Sequence, residues 1–318
     1  MSQTVLLPKS SLLNAGFSIG ICAADFASNL DGLLEFIMSE TFPANNSLRK
    51  VILVASGCDP KALLFSKLLA QRDQRLVLIE EPNRRGKSAA INQILENFDG
   101  EFLVLVNSDA LPEPGAISQL LHEIASDDHV GMVSASPVVS ERSGMTGSVL
   151  QLMWSVHNEC LAMLSEIDRN NHCCDELIVA RSKVLSKLPP DTVNDGAYLA
   201  GAAYKAGYSI RFSQRARVRI DVPKGLVDLM RQRRRIVYGH VQIWKSVGES
   251  PRTLESMLIH DPLLSFWILV KTLAKSPRLM FALPVALIDE VMSVGLAMLD
   301  NLTSTKRHST WNRVGSRS

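Results

Sequence analysis

Cysteine is scarce in this 318-residue sequence, and the five that are present include no CxxC pair. An odd number without metal-ligand spacing argues against a disulfide framework and against a zinc site. A strong charge imbalance is also lacking, because the net charge is only +2, and we therefore expect no nucleic-acid partner. Residues 1–13 contain no basic run followed by a long apolar stretch, so we predict no export signal. Free thiols and the missing signal favour a cytoplasmic location.

Three common active-site motifs are missing as well. The segment Arg85-Gly86-Lys87-Ser88 resembles the end of a P-loop, but Glu81 stands where that loop needs its first glycine. No GxGxxG follows the first predicted strand, so a dinucleotide site has no support. No GxSxG is present either, which removes the case for a nucleophile elbow.

Apolar runs alternate with amphipathic segments through the first half of the chain. Runs rich in Val, Ile and Leu predict strands at 17–23, 51–55, 76–80, 102–107 and 130–135. The segments between them predict helices at 30–39, 60–71, 88–97 and 114–125. This alternation predicts an α/β fold, with a mainly parallel sheet sandwiched by helices and ligands bound beyond the carboxyl ends of its strands.

The second half predicts further helices, and its end is strongly apolar. Helices are expected at 145–166, 196–206 and 226–247, and strands at 176–180 and 210–220. The apolar runs 263–270 and 280–299 follow, but Pro284, Asp289 and Glu290 interrupt the second. Each charge at a bilayer centre costs at least roughly 2.5–3.5 kcal/mol, so interfacial or packed helices are favoured over a spanning one. The tail suits an anionic membrane or, equally, a solvated end through Lys306, Arg307, Trp311, Arg313 and Arg317.

Polar residues that could take part in binding or catalysis occur at three places. Asn107, Ser108 and Asp109 end the fourth predicted strand, and their oxygens suit Mg²⁺ or Mn²⁺, although such residues also form turns. Asp195 precedes a predicted helix, where it could cap the helix or take a proton from a hydroxyl. Gln232 and Arg235 lie one helical turn apart and could bind a pyrophosphate, or belong to a solvated basic face.

In this order, the elements resemble the family 2 glycosyltransferases of the GT-A (Rossmann-like) fold, over roughly residues 17–244. Asn107-Ser108-Asp109 resembles the DXD motif, Asn194-Asp195 the ED pair, and Gln232-Arg233-Arg234-Arg235-Ile236 the QxxRW motif. The loop Ser56-Gly57-Cys58-Asp59 and the GKxxALN-like segment 86–92 match elements beside the nucleotide. The chain departs from the family at Asn107, Asn194 and Ile236, and it has Ala24-Asp25 where many members carry Tyr-Asn.

The resemblance implies an inverting transfer of a sugar from a nucleotide-diphosphate donor, with UDP as the commonest carrier, to an acceptor hydroxyl. We expect a glycan or lipid-linked acceptor, and a lipid-linked or cell-envelope acceptor would suit the apolar C-terminus. Asp195 would be the catalytic base, and Asp109 with Asn107 would hold the divalent metal. The implied donor-binding residues are Asp25, Ser56, Gly57, Asp59, Lys87, Asn107, Ser108, Gln232 and Arg235. We expect a catalytic domain over 1–250, followed by apolar helices and a basic tail over 251–318, with peripheral contact at the inner face of the cell membrane.

Two alternatives stay open at the level of the sequence. Asn107 and Asn194 are compatible with a degenerate homologue that binds a nucleotide sugar or a partner without transfer. A sugar-phosphate nucleotidyltransferase has a related sheet, but the glycine- and arginine-rich signature that it needs after the first strand is missing.

Overall fold

The computed structural model describes residues 15–24, 29–43, 46–139, 143–303 and 308. Its strands are β1 (Ala15–Ala24), β2 (Asn46–Ser56), β3 (Leu76–Glu81), β4 (Phe102–Asn107), β5 (Ala110–Pro112), β6 (Val130–Val139), β7 (Leu177–Arg181) and β8 (Ser209–Ile220). Its α-helices are α1 (Leu30–Ser39), α2 (Pro60–Arg72), α3 (Lys87–Asn97), α4 (Ala116–Ala125), α5 (Gly144–Glu166), α6 (Asp195–Lys205), α7 (Leu226–Val247), α8 (Leu254–His260), α9 (Pro262–Lys275) and α10 (Leu283–Thr303). Short 3₁₀ helices occupy Ser182–Val184 and Pro277–Ala282.

The strands form one sheet in the order β3-β2-β1-β4-β7-β6-β8-β5. Strands β3, β2, β1 and β4 are parallel to one another, and β6 is parallel to β8. Strand β7 runs antiparallel between β4 and β6, and β5 is antiparallel to β8. The carboxyl ends of β1 to β4 therefore lie at one edge, and this edge carries the polar residues that the sequence singled out.

The central strands are buried on both faces, as their apolar sequences require. In β4, Phe102, Val104 and Val106 belong to one core cluster, whereas Leu103 and Leu105 belong to another on the opposite face. Successive side chains of a strand point to opposite faces, so a continuous apolar run fits only a strand covered on both sides. The prediction of an α/β sheet sandwiched by helices is confirmed.

Element boundaries differ from the predicted ones mainly at strand ends. Strand β2 begins at Asn46 and not at 51, because its first residues pair with β1 although they are polar and half exposed. Strand β5 was not predicted, since its three residues include a proline. The antiparallel direction of β7 was not predicted either.

The C-terminal helices pack on α5 and α7 and share the main hydrophobic core through Met257, Ile268 and Leu279. Among the described residues, one helical stretch, Pro277–Thr303, is long and apolar enough to cross a membrane by its length and composition. The division of the chain at residue 250 stays a prediction. The basic residues of the tail other than His308 lie outside the described residues.

Candidate active site

The centre of the candidate site is an ammonium group between two carboxylates. Lys87 Nζ, on the first residue of α3, lies 2.9 Å from Asp195 Oδ2 and 3.2 Å from Asp175 Oδ2. The Asp195 side chain is 6% exposed, whereas those of Lys87 and Asp175 are 30% and 40% exposed. The folded chain therefore joins two of the predicted site residues, Lys87 and Asp195, and adds a third group, Asp175.

These three groups set one another's protonation. Burial raises the pKa of Asp195 above its ordinary value, and the nearby charge of Asp175 adds to this, while Lys87 opposes it. Burial also opposes ionisation of Asp175, but the Lys87 ammonium holds the pKa of Asp175 below its usual range. Burial would lower the pKa of Lys87, yet the two carboxylates raise it. Asp195 is thus a carboxylate with increased proton affinity, as a general base requires.

Helix α6 begins at Asp195, and its N-cap is Asn194, so the prediction that Asp195 could cap the helix with its side chain is not realised. Instead, the side-chain amide of Asn194 donates through Nδ2 to the backbone carbonyl of Ile236 in α7 at 2.9 Å. A Cβ added to Gly239 would lie 2.7 Å from Asn194 Cγ, so only glycine allows this close approach. Asn194 therefore connects α6 to α7, whereas Asp195 contacts Lys87.

Helix α7 also holds the segment that leads to Asp195. Gln242 Oε1 accepts from the Val193 amide, and Gln242 Nε2 donates to the Asp191 carbonyl, both at 3.0 Å. Arg235 Nη2 donates to the Val193 carbonyl at 3.1 Å. Burial lowers the pKa of Arg235, while Asp195 and Asp175 act in the opposite direction, which places the guanidinium within their electrostatic reach. Gln232 lies one turn before Arg235 on the same helix and is half-buried.

Two neighbouring arginines of this motif have structural partners. Arg233 pairs with Glu290 at 2.8 Å and Glu255 at 2.6 Å, and Arg234 Nε donates to Asp300 at 2.6 Å. Both side chains bind the C-terminal helices, so the alternative of a solvated basic face does not apply at these two positions.

At the end of β4, Asn107 is half-buried and lies beside Cys22 of β1. The backbone N–H of Asn107 donates to the backbone carbonyl of Glu176 at 3.0 Å, so Glu176 lies directly opposite Asn107. Burial and the charge of Asp175 raise the pKa of Glu176 to about 7. Ser108 is half-buried and Asp109 is exposed in the turn that leads into β5. Sequence reasoning did not identify Asp175 and Glu176 as site residues.

The oxygen donors at this turn fit a hard divalent cation only in part. In the portion of the chain that the structure describes, no three His, Cys, Asp or Glu side chains converge on a point that could hold a metal ion. Asp109 offers a carboxylate, and Asn107 offers an amide oxygen. Mg²⁺ and Mn²⁺ commonly complete such a partial set with water and with the phosphates of a bound ligand.

The loop after β2 has the positive backbone angle and the helix cap that its residues predict. Ser56 donates to Glu81 Oε2 at 2.8 Å, and Gly57 has φ +66°. Asp59 accepts from the Lys61 amide at 2.9 Å and so caps α2. Asp25, the remaining predicted donor residue, lies outside the described residues.

A line of three histidine rings, one buried and two half-buried, lies between α5, the segment before β7, and α7. His172 is edge-on to both His157 and His240, with ring centroids 5.8 and 5.3 Å apart. Burial lowers the pKa of His157 to about 3 and that of His172 to about 4. These imidazoles are therefore neutral near pH 7.

The comparisons with known proteins agree with this geometry. Residues 18–188, more than half of the chain, match the profile of the family described as Glycosyl transferase family 2. N-acetylglucosaminyltransferase of Azorhizobium caulinodans is 24% identical over 231 residues, which cover 68% of this chain and 58% of that protein. Glycosyltransferase AglE of Haloferax volcanii is 22% identical over 256 residues, 79% of each chain. The chain thus spans less than two thirds of the first relative.

Two solved structures share the fold. A mannosyltransferase, PcManGT from Pyrobaculum calidifontis in complex with GDP-Man and Mn²⁺, superposes with a TM-score of 0.63 at 19% identity, covering 92% of this chain and 88% of that chain. GalNAc-T7 with UDP, GalNAc and Mn²⁺ gives a TM-score of 0.51 at 11% identity, covering 66% of this chain and 43% of that chain. These likenesses confirm the GT-A architecture that the sequence predicted. Because the family match covers more than half of the chain and the architecture agrees with it, the chain belongs to glycosyl transferase family 2.

Proposed function

We propose that this chain transfers a sugar from a nucleotide-diphosphate donor to an acceptor hydroxyl with inversion at the anomeric carbon. The observation that carries the proposal is the buried Asp195 carboxylate in contact with Lys87 at the carboxyl edge of the sheet. A displacement at a sugar carbon needs a base for the hydroxyl proton and positive charge for the departing diphosphate. Asp195 and the cations Lys87 and Arg235 supply both in one place.

Each residue then has a role in a single displacement. The acceptor oxygen attacks the anomeric carbon, the bond from that carbon to the donor phosphate oxygen breaks, and the hydroxyl proton passes to the Asp195 carboxylate. Lys87 and Arg235, with Gln232, bind the diphosphate. Asp25 and the loop of Ser56, Gly57 and Asp59 hold the nucleoside, and Asn107 and Ser108 approach the donor from the end of β4.

A divalent cation, Mg²⁺ or Mn²⁺, is proposed at Asp109 with help from Asn107. When bound, such a cation offsets the negative charge that develops on the leaving nucleoside diphosphate. The oxygen-only donor set supports this assignment, as do the Mn²⁺ ions named with two proteins of the same fold. UDP is proposed as the nucleotide, because it is the commonest carrier in this family, and the GDP-Man complex of PcManGT makes GDP the first alternative to test.

The acceptor is proposed to be a glycan or a lipid-linked sugar of the cell envelope, met at the inner face of the membrane. The exposed apolar side chains of the C-terminal helices support this location, and α10 packs on α7, the helix that carries Arg235.

The test is release of nucleoside diphosphate from a panel of UDP- and GDP-sugars with Mn²⁺, in the presence and absence of membrane extract as acceptor source. We expect one donor to be consumed, and consumption to rise with the extract. A chain that binds a nucleotide but consumes no donor would be the degenerate homologue, and this result would overturn the proposed activity.

A further inference from the structure

Helix α10 has its polar and apolar faces exchanged relative to a helix of a soluble protein. The positions that it buries against the protein are small or polar: Ala286, Asp289, Ser293, Ala297 and Asp300. The positions that it exposes are large and apolar, and they include Leu287, Ile288, Val291, Met292, Leu299 and Leu302. Both sets follow helical spacing, so each forms one continuous face.

Water is an unfavourable environment for such a helix. A surface helix normally turns its apolar stripe to the core, because removing apolar surface from water stabilises the fold. The exposed face of α10 forgoes this stabilisation from Leu287 to Leu302. Contact with hydrocarbon would stabilise the outer face of such a helix. Helices of membrane proteins have the same arrangement, with small residues on the side that packs against the protein.

Helix α9 and the 3₁₀ helix before α10 extend the same surface. Leu263, Phe266, Trp267 and Val270 are exposed on α9 at helical spacing, and Phe281 is 83% exposed. Of the twenty-one large apolar side chains that are exposed in the described residues, fifteen lie between residues 258 and 302. A patch on this scale on one part of a protein marks an interaction site, and an exposed Trp within it, here Trp267, is typical of a membrane interface.

Charged contacts hold α10 along the protein and not across a bilayer. Glu290 pairs with Arg233, and Asp300, further along α10, pairs with Arg234. Ser293 Oγ also donates to the Met230 carbonyl at 3.3 Å. Helix α7 presents charged residues along this contact and cannot enter hydrocarbon, so a helix fixed to it lies in the interface plane.

Charge around the patch selects the kind of membrane. Arg278 is exposed next to Met280 and Phe281. The sequence from 304 to 318, which follows α10, contains four Lys or Arg residues and no Asp or Glu. Basic residues close to an apolar face attract anionic headgroups.

We infer that the outer face of α9 and α10 docks on an anionic phospholipid bilayer, with both helices lying in its interface. The role of this contact in bringing an acceptor substrate to the site rests on the proposed function. Arg235 Nε donates to the carbonyl of His308, just beyond α10, at 3.3 Å, so the end of the docked helix lies beside the candidate site. A lipid-linked acceptor held in the same bilayer would therefore reach the site without leaving the membrane.

The experiment is flotation of the purified full chain with vesicles of phosphatidylcholine alone or mixed with phosphatidylglycerol. We expect binding to the mixed vesicles, weakened by salt and reversed by alkaline carbonate. Leu263→Gln with Phe281→Gln changes two side chains that are each 83% exposed, and it should lower vesicle binding by about tenfold or more. The control is Leu64→Gln on α2, which is 58% exposed and should bind like the wild type.

Three results would overturn the inference: no vesicle binding, equal loss in the Leu64 control, or a dimer that buries this face and disappears in the double variant. Resistance to carbonate would contradict interfacial docking in favour of a spanning helix. Nucleotide binding by the double variant separates the two proposals. If it is normal while vesicle binding is lost, the docking surface is tested independently of the donor site.

Discussion

The Nζ atom of Lys87 lies 2.9 Å from the Oδ2 atom of Asp195, a buried carboxylate that begins helix α6. The two residues come from helices on the same side of the sheet, and they meet where strands β1 and β4 end. Because Lys87 also contacts Asp175, one cation controls the protonation of two acids. This relationship determines the expected pH dependence of the site.

Removing the Lys87 charge should move the acid limb of the pH–rate profile to higher pH. Lys87 lowers the pKa of Asp195, whose net shift is upward, so Lys87→Gln raises that pKa further. Asp195 must be ionised to act as a base, and its ionised fraction would then fall at each pH below neutrality. The measurement is donor consumption against pH, with Lys67→Gln, at an exposed surface ion pair, as the control. An unchanged limb in Lys87→Gln would remove Asp195 from the role of base.

Substitution of Asp109 should abolish metal-dependent binding of the nucleotide. Asp109→Ala deletes the only carboxylate of the Asn107-Ser108-Asp109 turn, and we expect at least about a tenfold loss of Mn²⁺ affinity in the presence of UDP or GDP. Asn107→Asp adds a second carboxylate and should strengthen Mn²⁺ binding. Calorimetric titration of Mn²⁺ into each nucleotide complex decides this. Normal Mn²⁺ affinity in Asp109→Ala would place the metal elsewhere.

The Arg233 pairs should matter for stability more than surface pairs do. Arg233→Met leaves Glu255 and Glu290 facing each other in a largely buried position, and we expect a loss of about 3 kcal/mol in the free energy of unfolding. Lys67→Met breaks an exposed pair and should cost no more than about 1 kcal/mol. Urea denaturation of both variants compares them. Equal losses would show that the Arg233 cluster is no more than a surface network.

Stability should fall as the pH drops below about 6.5, because buried histidines resist protonation. The pKa of His157 is lowered to about 3 and that of His172 to about 4, so between about pH 6.5 and 4 only the unfolded state gains these protons. The stabilisation is present above the unfolded pKa and is lost as the pH falls. We expect a loss of roughly 1 kcal/mol for each histidine at about pH 5.5, measured by urea denaturation. The variant His157→Gln with His172→Gln should reduce this pH dependence, whereas the exposed His122→Gln should not.

Much of the sheet could be predicted because its signal is local. Strand β4 is a continuous apolar run that ends at Asn107, so both the strand and the polar turn after it could be located from the sequence. Strand β5 could not, because three residues that include Pro112 carry no periodicity and are held by β8. The direction of β7 is set by its pairing with β4 and β6, which are distant in the sequence, and it has no local signature.

The site was predictable where a residue matches a family motif and unpredictable where folding alone brings it into place. Lys87 and Asp195 were singled out separately, and the folded chain brings their side chains into contact. Asp175 was missed because the adjacent acids Asp175 and Glu176 match no family motif, and only the contact of Asp175 with Lys87 connects it to the site. The adjacent acids Asp289 and Glu290 were noted as costly in a bilayer, but the sequence could not show that Glu290 binds Arg233.

The central claim is that Asp195 is the base of a nucleotide-sugar-dependent transfer. The most direct measurement compares the affinity for the consumed donor, by calorimetry, with the rate of transfer in wild type, Asp195→Asn and Asp191→Asn. Asp191 is an exposed carboxylate in the same segment, and its positive φ of 66° tolerates asparagine. We predict that Asp195→Asn keeps the donor affinity within a few-fold and loses at least about a hundredfold in rate, while Asp191→Asn matches the wild type. Transfer by Asp195→Asn at the wild-type rate would contradict the account.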